Sequence, residues 1–325
     1  MDEIVRLFPE HIKDAIQRKV QDRWTELQEI RFRLNQPIEL IYDSKIDWIH
    51  SVKPESQDGI FVLNQLSNFS LYRMEDELRE GYITIEGGHR VGLAGKVNTL
   101  GGTVKAIQHI TFFNIRIAKQ KINVASPIIP YMYKEKYMNT LFIGAPQTGK
   151  TTLIRDIVRL IATGWKDIPA KKVAVIDERS EIGGSIKGVP QHNVGIRTDV
   201  MDACPKAEGM MMMIRSMSPD VLVVDEIGSK KDVQALMEAI LAGVVVVCSV
   251  HGQTLEEIKK RPSMQTLFQQ NVFKRFVLLE KNQQPGFVHA IYDEVGINLL
   301  QKKRSLNHGV DRSTSIHRYH NVDRV

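Results

Sequence analysis

Apolar positions in the first 125 residues follow short, mixed periods. In PEHIKDAIQRKV (9–20), Ile12, Ile16 and Val20 stand at four-residue steps, the spacing of one helical face. LQEIRFRLNQPIELIYD (27–43) has Leu27, Ile30 and Phe32 before an Asn-Gln-Pro turn and Ile38, Leu40 and Ile41 after it, which predicts two strands. GYITIEGGHRVGLAGKVNTLGG (81–102) alternates apolar and polar residues among glycines, the pattern of a hairpin whose bends need glycine. It holds no tight GxGxxG, so no second nucleotide site is read there. Pro127 and Pro130, in ASPIIPYMYKEKYMN, mark a hinge.

From residue 139 the pattern becomes strand and helix in alternation. Short apolar strands are expected at 140–144, 172–177, 220–226, 244–250 and 275–280, with an edge strand at 286–294. Between the first two lies TTLIRDIVRLIATG, where Leu153, Ile154, Ile157, Val158 and Ile161 mark a buried helical face. DVQALMEAILAG (232–243) predicts a second helix, ending at Gly243. Strands without polar alternation need cover on both faces, which a parallel sheet between helical layers supplies. The expected class is therefore α/β. Residues 1–125 form a smaller N-terminal α/β domain, 126–138 a hinge, 139–298 the main domain, and 299–325 a polar, aperiodic tail without order.

Composition changes this picture little. At 42% hydrophobic and 25% charged the chain is ordinary globular protein, and 325 residues leave room for two domains. The formal charge of +6 points to an anionic partner, either a nucleic acid or a membrane surface. Cys204 and Cys248 lie far apart without metal-ligand spacing, which suits a reducing compartment. The N-terminus has no signal-peptide core, and the longest apolar run (239–250) falls short of the ~20 residues a spanning helix needs. A cytosolic location is expected, with any membrane contact made through a partner.

The chemistry starts at FIGAPQTGKTTLI (142–154). Gly144, Gly149, Lys150 and Thr151 fit the phosphate-loop pattern, after an expected strand and ahead of an amphipathic helix. Backbone N–H groups along Gly144, Ala145, Pro146, Gln147, Thr148, Gly149, Lys150, Thr151 and Thr152 would cradle the phosphates of ATP at a helix N-terminus. Lys150 would reach the β- and γ-phosphates, and the Thr151 hydroxyl would ligate Mg²⁺. SPDVLVVDEIG ends a strand in Asp225, suited to the Mg²⁺ shell, and Glu226, suited to polarising water; a strand merely ending in solvated acids is the bland alternative. VAVIDERSEI supplies Asp177, Glu178 and Glu181 with Arg179, and SVHGQ brings His251, a candidate phosphate sensor, to the same sheet edge. Met210 through Met213 and Met217 read as adaptable core by default or as a subunit interface. Arg215 either reaches a neighbouring nucleotide or is solvated.

The order of phosphate loop, VIDERSEI, SPDVLVVDEIG and SVHG resembles the secretion-ATPase superfamily, the hexameric motors of type II and type IV secretion and pilus retraction. More closely, EGGHRVGLAGKV, GAPQTGKTTLIRD, DERSEI, DACPKAEGMMMMIRSMSPDVLVVDEIG and the final AIYDE resemble the stage III sporulation protein AA family, from about residue 25 to 294. The resemblance implies a RecA-like ATPase in the mother-cell cytoplasm that drives a channel complex spanning the two membranes around the forespore. It matches Lys150 and Thr151 to the Walker A element and Asp177 and Glu178 to the Asp box. Asp225 and Glu226 match Walker B, and His251 the His box. Two departures stand out. Secretion motors commonly carry an Arg soon after the Walker B glutamate, where this chain has Gly228, Ser229 and Lys230. They also often lack the first Walker B acid, which is present here as Asp225.

In the superfamily the N-terminal domain covers the nucleotide of its own or a neighbouring subunit and donates arginines; Arg90 and Arg116 are the candidates, each with a bland reading outside the chemistry as its alternative. Catalysis would be in-line water attack on the γ-phosphate, with Mg²⁺, Lys150 and an arginine offsetting developing charge. The expected partners are further copies of the chain, assembled as a homo-oligomer on the hexameric pattern, and integral-membrane components of the channel, with peripheral attachment to the forespore membrane. A nucleic-acid motor is one rival, disfavoured because no aromatics interleave with the basic residues. A nucleotide-gated switch with negligible turnover is the other, and Glu226 speaks against it.

Overall fold

The computed structural model describes residues 2–67, 81–100, 102–281 and 286–301. Most of the expected tail, from 302 on, lies outside the described residues. By internal contacts the chain forms two units: Met1–Lys121 with Ser180–Val194, and Ile122–Arg179 with Gly195–Val325.

The first unit is built on an antiparallel sheet. Its strands are β1 (Leu27–Arg33), β2 (Ile38–Tyr42), β3 (Ile46–Ile49), β4 (Tyr82–Ile85), β5 (His89–Leu100) and β6 (Thr103–Arg116), in the order β3-β2-β1-β6-β5-β4. Helices α1 (Asp2–Val5), α2 (Glu10–Val20) and α3 (Ser56–Ser67) accompany it. Ile12, Ile16 and Val20 of α2 are buried in one core with Ile30 and Phe32 of β1, Leu40 of β2 and Phe113 and Ile115 of β6. Phe32 and Phe113 meet edge to face at 5.5 Å, a favoured aromatic geometry. A register shift between Leu27 and Glu29 explains why Leu27 and Ile30, three apart, are both buried. Glu29, Arg31 and Arg33 alternate with the buried residues of β1 and are half-buried.

Ser180–Val194 is held in this unit by named contacts. The Glu181 carboxylate accepts from Arg90 at 3.2 Å, and the Gln191 side chain accepts the Gly87 N–H at 3.3 Å. Gln120 donates to the Asn193 carbonyl and accepts its N–H, at 2.7 and 2.9 Å.

The second unit carries β7 (Thr140–Gly144), β8 (Val173–Asp177), β9 (Thr198–Asp202), β10 (Val221–Val224), β11 (Val245–His251), β12 (Arg275–Leu279) and β13 (Val288–Asp293). Their order is β13-β12-β7-β11-β10-β8-β9. Every pairing is parallel except that of β13 with β12, at one edge. The principal helices are α5 (Lys150–Thr163), α6 (Lys206–Met217) and α7 (Lys230–Leu241), after a short α4 (Ile129–Met132). Met210 and Met213 of α6 and Leu236 and Ala239 of α7 share a core with Leu141, Ile143, Leu222, Val224 and Val246. The alternate strand residues Phe142, Val175, Val223 and Val247 are equally buried, and α5, with Leu153, Ile157 and Ile161 buried, packs against β7, β8 and β9. Cover on both faces is what removes polar alternation from these strands.

Two stretches fold differently from their sequence pattern. The proline-bearing stretch expected to be a hinge is packed into the second unit: Ile128, Ile129, Met132 and Tyr137 are buried, and the Ala125 N–H bonds the Asp156 carboxylate at 2.9 Å. β9, TDVMD, is half-buried throughout and pairs only through β8, so it carries no apolar signature. The methionines of α6 divide between core and surface, with Met210 and Met213 buried and Met212 and Met217 exposed.

The cysteines give a direct check of this packing. Cys248 is fully buried in β11, and burial, reinforced by Asp225, pushes its thiol well above the ordinary range. Cys204 is only partly buried, although burial and the nearby Glu208 and Glu178 raise it too. Alkylation of the folded protein at pH 8, read by mass spectrometry, is expected to modify Cys204 first and Cys248 only on unfolding. Equal rates at the two positions would contradict the buried β11.

Candidate nucleotide-binding site

In the second unit the parallel pairing sets the carboxyl ends of β7, β8, β10 and β11 along one edge of the sheet, where open α/β sheets hold ligands. β7 runs into the glycine-bounded loop, and two glycines are required for different reasons. A Cβ on Gly144 would lie 2.6 Å from the Thr148 hydroxyl and 3.2 Å from Leu279 Cβ, so packing demands its absence. Gly149 caps α5 with φ +88°, a left-handed conformation that favours glycine. Thr148 donates its hydroxyl to the Ala145 carbonyl at 2.8 Å, which closes the loop on itself. At the start of α5, amide N–H groups of the first turn lack intrahelical acceptors, and the helix dipole adds positive potential. This arrangement suits a phosphate.

Lys150 is nearly out of water, with 6% of its surface exposed. Its ammonium donates to the Gly144 carbonyl at 2.7 Å and the Ala145 carbonyl at 3.0 Å, and reaches His251 Nδ1 at 3.0 Å. An ammonium only donates, so Nδ1 must be the acceptor and the neutral ring carries its proton on Nε2. That proton faces Glu226 Oε1 at 2.8 Å. The other oxygen of Glu226 accepts from Arg179 Nη1 at 3.2 Å. Glu226 itself has φ +52°, a left-handed backbone uncommon outside glycine, at the turn leaving β10.

Asp225 is bound from two sides. Its Oδ2 accepts the Thr151 hydroxyl at 3.1 Å, and its Oδ1 accepts the Ser249 hydroxyl at 2.6 Å. Ser249 Oγ also accepts the Glu226 N–H at 3.0 Å, so one hydroxyl holds both acids of the pair. Thr151 and Asp225 are hard oxygen donors in contact with each other, the donor set Mg²⁺ takes when it also binds substrate phosphates. Asp177 is buried at the end of β8, opposite Asp202, and Glu178 is ion-paired with Lys206. Asp177, Glu178, Arg179, Lys206, Asp225 and Glu226 line one recess.

Of the residues singled out in sequence, the structure thus gathers Gly144–Thr152, Asp177, Glu178, Asp225, Glu226 and His251 in the second unit. Arg90 and Arg116 belong to the first unit. They stand directly opposite each other on β5 and β6, with Glu29 of β1 opposite Arg116 on its other side. Arg90 binds Glu181 and lies over the Tyr82 ring at 4.7 Å, whereas Arg116 is largely exposed and 4.0 Å from Glu29. Sequence reasoning missed Ser249 and Lys206. For Ser249 there was a faint signal, one hydroxyl in an apolar strand two residues before His251; in parallel register it falls beside Asp225 because Val224 faces Cys248.

The model of the family described as "Sporulation stage III, protein AA" matches residues 1–299. The chain is 49% identical over 302 residues to Stage III sporulation protein AA of Bacillus subtilis (strain 168), spanning 93% of this chain and 98% of that protein. Among solved structures it is similar to the ATPase DotB of Legionella pneumophila, with TM-score 0.56, 15% identity, and 84% and 76% of the two chains covered. It is also similar to the pilus retraction motor PilT with bound ADP, with TM-score 0.58, 13% identity, and 93% and 88% covered. At such identities the likeness speaks to the fold alone, and that fold is RecA-like α/β.

Removing the Ser249 hydroxyl leaves a carboxylate oxygen and a backbone N–H without their partner. Ser249→Ala is therefore expected to destabilise the protein by about 1–3 kcal/mol, read as a lowered denaturant midpoint at unchanged slope. An unchanged midpoint would show that Ser249 does not brace the acidic pair.

Proposed function

The chain belongs to the sporulation stage III protein AA family, and from that premise we propose that it is an ATP hydrolase driving a channel complex between mother cell and forespore. The observation that carries the reading is the unbroken polar chain from Lys150 through His251 to Glu226, beside the Thr151–Asp225 contact at the loop opening α5. Lys150 would give up the Gly144 and Ala145 carbonyls it now bonds for the oxygens of the β- and γ-phosphates. His251 is in contact with both the phosphate-side lysine and the acid, so a change at Lys150 reaches Glu226 through one imidazole. Glu226, at the left-handed turn that leaves β10, would orient and polarise the attacking water. Thr151 and Asp225 would hold Mg²⁺, which when bound supplies charge neutralisation at the phosphate oxygens.

In this reading Arg90 or Arg116 of the first unit contributes charge to the transition state, and the protein works as a homo-oligomer on the hexameric pattern of secretion motors. It acts in the mother-cell cytoplasm, recruited to the forespore membrane by integral-membrane components. Among the described residues no helix is long and apolar enough to cross a membrane. The chain's +6 charge would strengthen attachment to anionic lipid, but such attraction is screened over ~10 Å at 0.1 M salt. A protein partner must therefore specify the membrane.

Steady-state kinetics with a fluorescent ATP analogue test the chemistry. Lys150→Ala is expected to abolish binding, and Glu226→Gln to keep binding and lose turnover. Arg116→Ala is expected to lower kcat more than affinity, by as much as about 10³-fold if its charge acts in the transition state. Near-normal hydrolysis by Glu226→Gln would refute the assignment of the water-polarising acid. If no preparation turns ATP over although all but Lys150→Ala bind it, the gated switch becomes the better reading.

Recruitment is tested in sporulating cells with a fluorescent fusion. Enrichment at the forespore is expected in the wild type and is expected to disappear when the membrane components of the complex are deleted. Enrichment that survives loss of all of them would reject a protein anchor.

A further inference from the structure

Both carboxylate oxygens of Glu226 are engaged, and the two contacts differ in kind. His251, on Oε1, is tied to the phosphate loop through Lys150. Arg179, on Oε2, is 63% exposed and is the last residue of the second unit before the chain leaves it. Ser180, with φ +50°, begins the fifteen-position stretch Ser180–Val194 that folds with the first unit. Only two residues beyond Arg179, Glu181 is fastened to Arg90. Two residues of chain reach at most ~7 Å, so little slack separates the residue holding Glu226 from the residue holding Arg90.

We propose that Arg179 is a positioning residue that latches Glu226, and that displacement of 180–194 with the first unit releases it. This rests on the hydrolase reading above and gives that site its regulation. While the ion pair stands, a guanidinium N–H takes one of the acceptor sites of this carboxylate oxygen and competes with the attacking water for it. An ion pair this exposed is weakly held and sensitive to salt, which suits a contact made to be broken. The left-handed Ser180 is the one residue between the two anchored side chains, so a displacement of Glu181 reaches Arg179 across a single position. The first unit would thus govern the base through the covalent chain itself, in addition to any arginine it donates.

The test uses the full-length protein with Arg179→Ala, Glu181→Gln and the double variant. Arg179→Ala is expected to raise basal kcat several-fold at unchanged ATP affinity, with Arg179→Lys restoring the low rate. Glu181→Gln, which slackens the tie to the first unit, is expected to lower kcat, and the double variant to behave like Arg179→Ala. A fall in kcat for Arg179→Ala would overturn the latch and make Arg179 a support of the productive geometry. A double variant slower than Arg179→Ala would show that Glu181 acts through Arg90 instead. Hydrogen exchange over residues 177–182 gives a readout that needs no turnover. A non-hydrolysable ATP analogue is expected to speed exchange there in the wild type but not in Glu181→Gln. If no variant hydrolyses ATP, the hydrolase reading fails, while unchanged exchange on adding the analogue would overturn the latch by itself.

Discussion

The second unit is organised around a lysine ammonium that is almost entirely removed from water. An ammonium so placed is costly unless its donors are all satisfied, and Lys150 finds acceptors in the Gly144 and Ala145 carbonyls and in His251 Nδ1. Each acceptor constrains something else. The two carbonyls curl the loop back over the end of β7. The imidazole is left with its proton on Nε2, and that proton can point only at an acceptor, which Glu226 provides. A loop, a strand end and a catalytic candidate are thus coupled by the hydrogen-bond needs of one cation.

Parallel pairing makes this coupling possible. β7, β10 and β11 present their carboxyl ends together, so Lys150, Asp225, Ser249 and His251 converge although a hundred residues separate the first from the last. Ser249 shows how economical the arrangement is: its single hydroxyl donates to one acid of the Asp225–Glu226 pair and accepts the backbone N–H of the other. The short helix-opening loop supplies phosphate-directed N–H groups, while the strand ends supply oxygen donors of the kind Mg²⁺ prefers.

The first unit solves a different problem. Its sheet is antiparallel and buries one face under helices, so its strands alternate, and the residues opposite the core carry the charge: Glu29, Arg31 and Arg33 on β1, Arg90 on β5, Arg116 on β6. Like charges directly opposite on neighbouring strands are unfavourable. Glu181 beside Arg90 and Glu29 near Arg116 offset that cost. One of those carboxylates comes from 180–194, so the first unit's charge balance depends on a stretch of chain that interrupts the second.

What could be read along the chain were the features set by local spacing. The four-residue steps of α2, the apolar strands of the second unit and the glycine–lysine–threonine loop are properties of neighbouring residues, and the backbone periods of 3.6 and 2 translate them directly. The pairing of acids with a strand end was legible for the same reason. Other features depended on residues far apart. The polar edge strand β9 has no pattern of its own, because it lies at the edge of the sheet, pairs with β8 alone and is half-buried at every position. The prolines at 127 and 130 look like a hinge locally, yet Asp156 and the surrounding core fold them into the second unit. Ser249 became part of the site through strand register, Lys206 through its ion pair with Glu178, and Arg179 through its reach to Glu226. Spacing determines which residues share a helix face or a loop, but the register between distant strands, and the unit in which 180–194 settles, follow only from where each segment buries its surface and satisfies its charges.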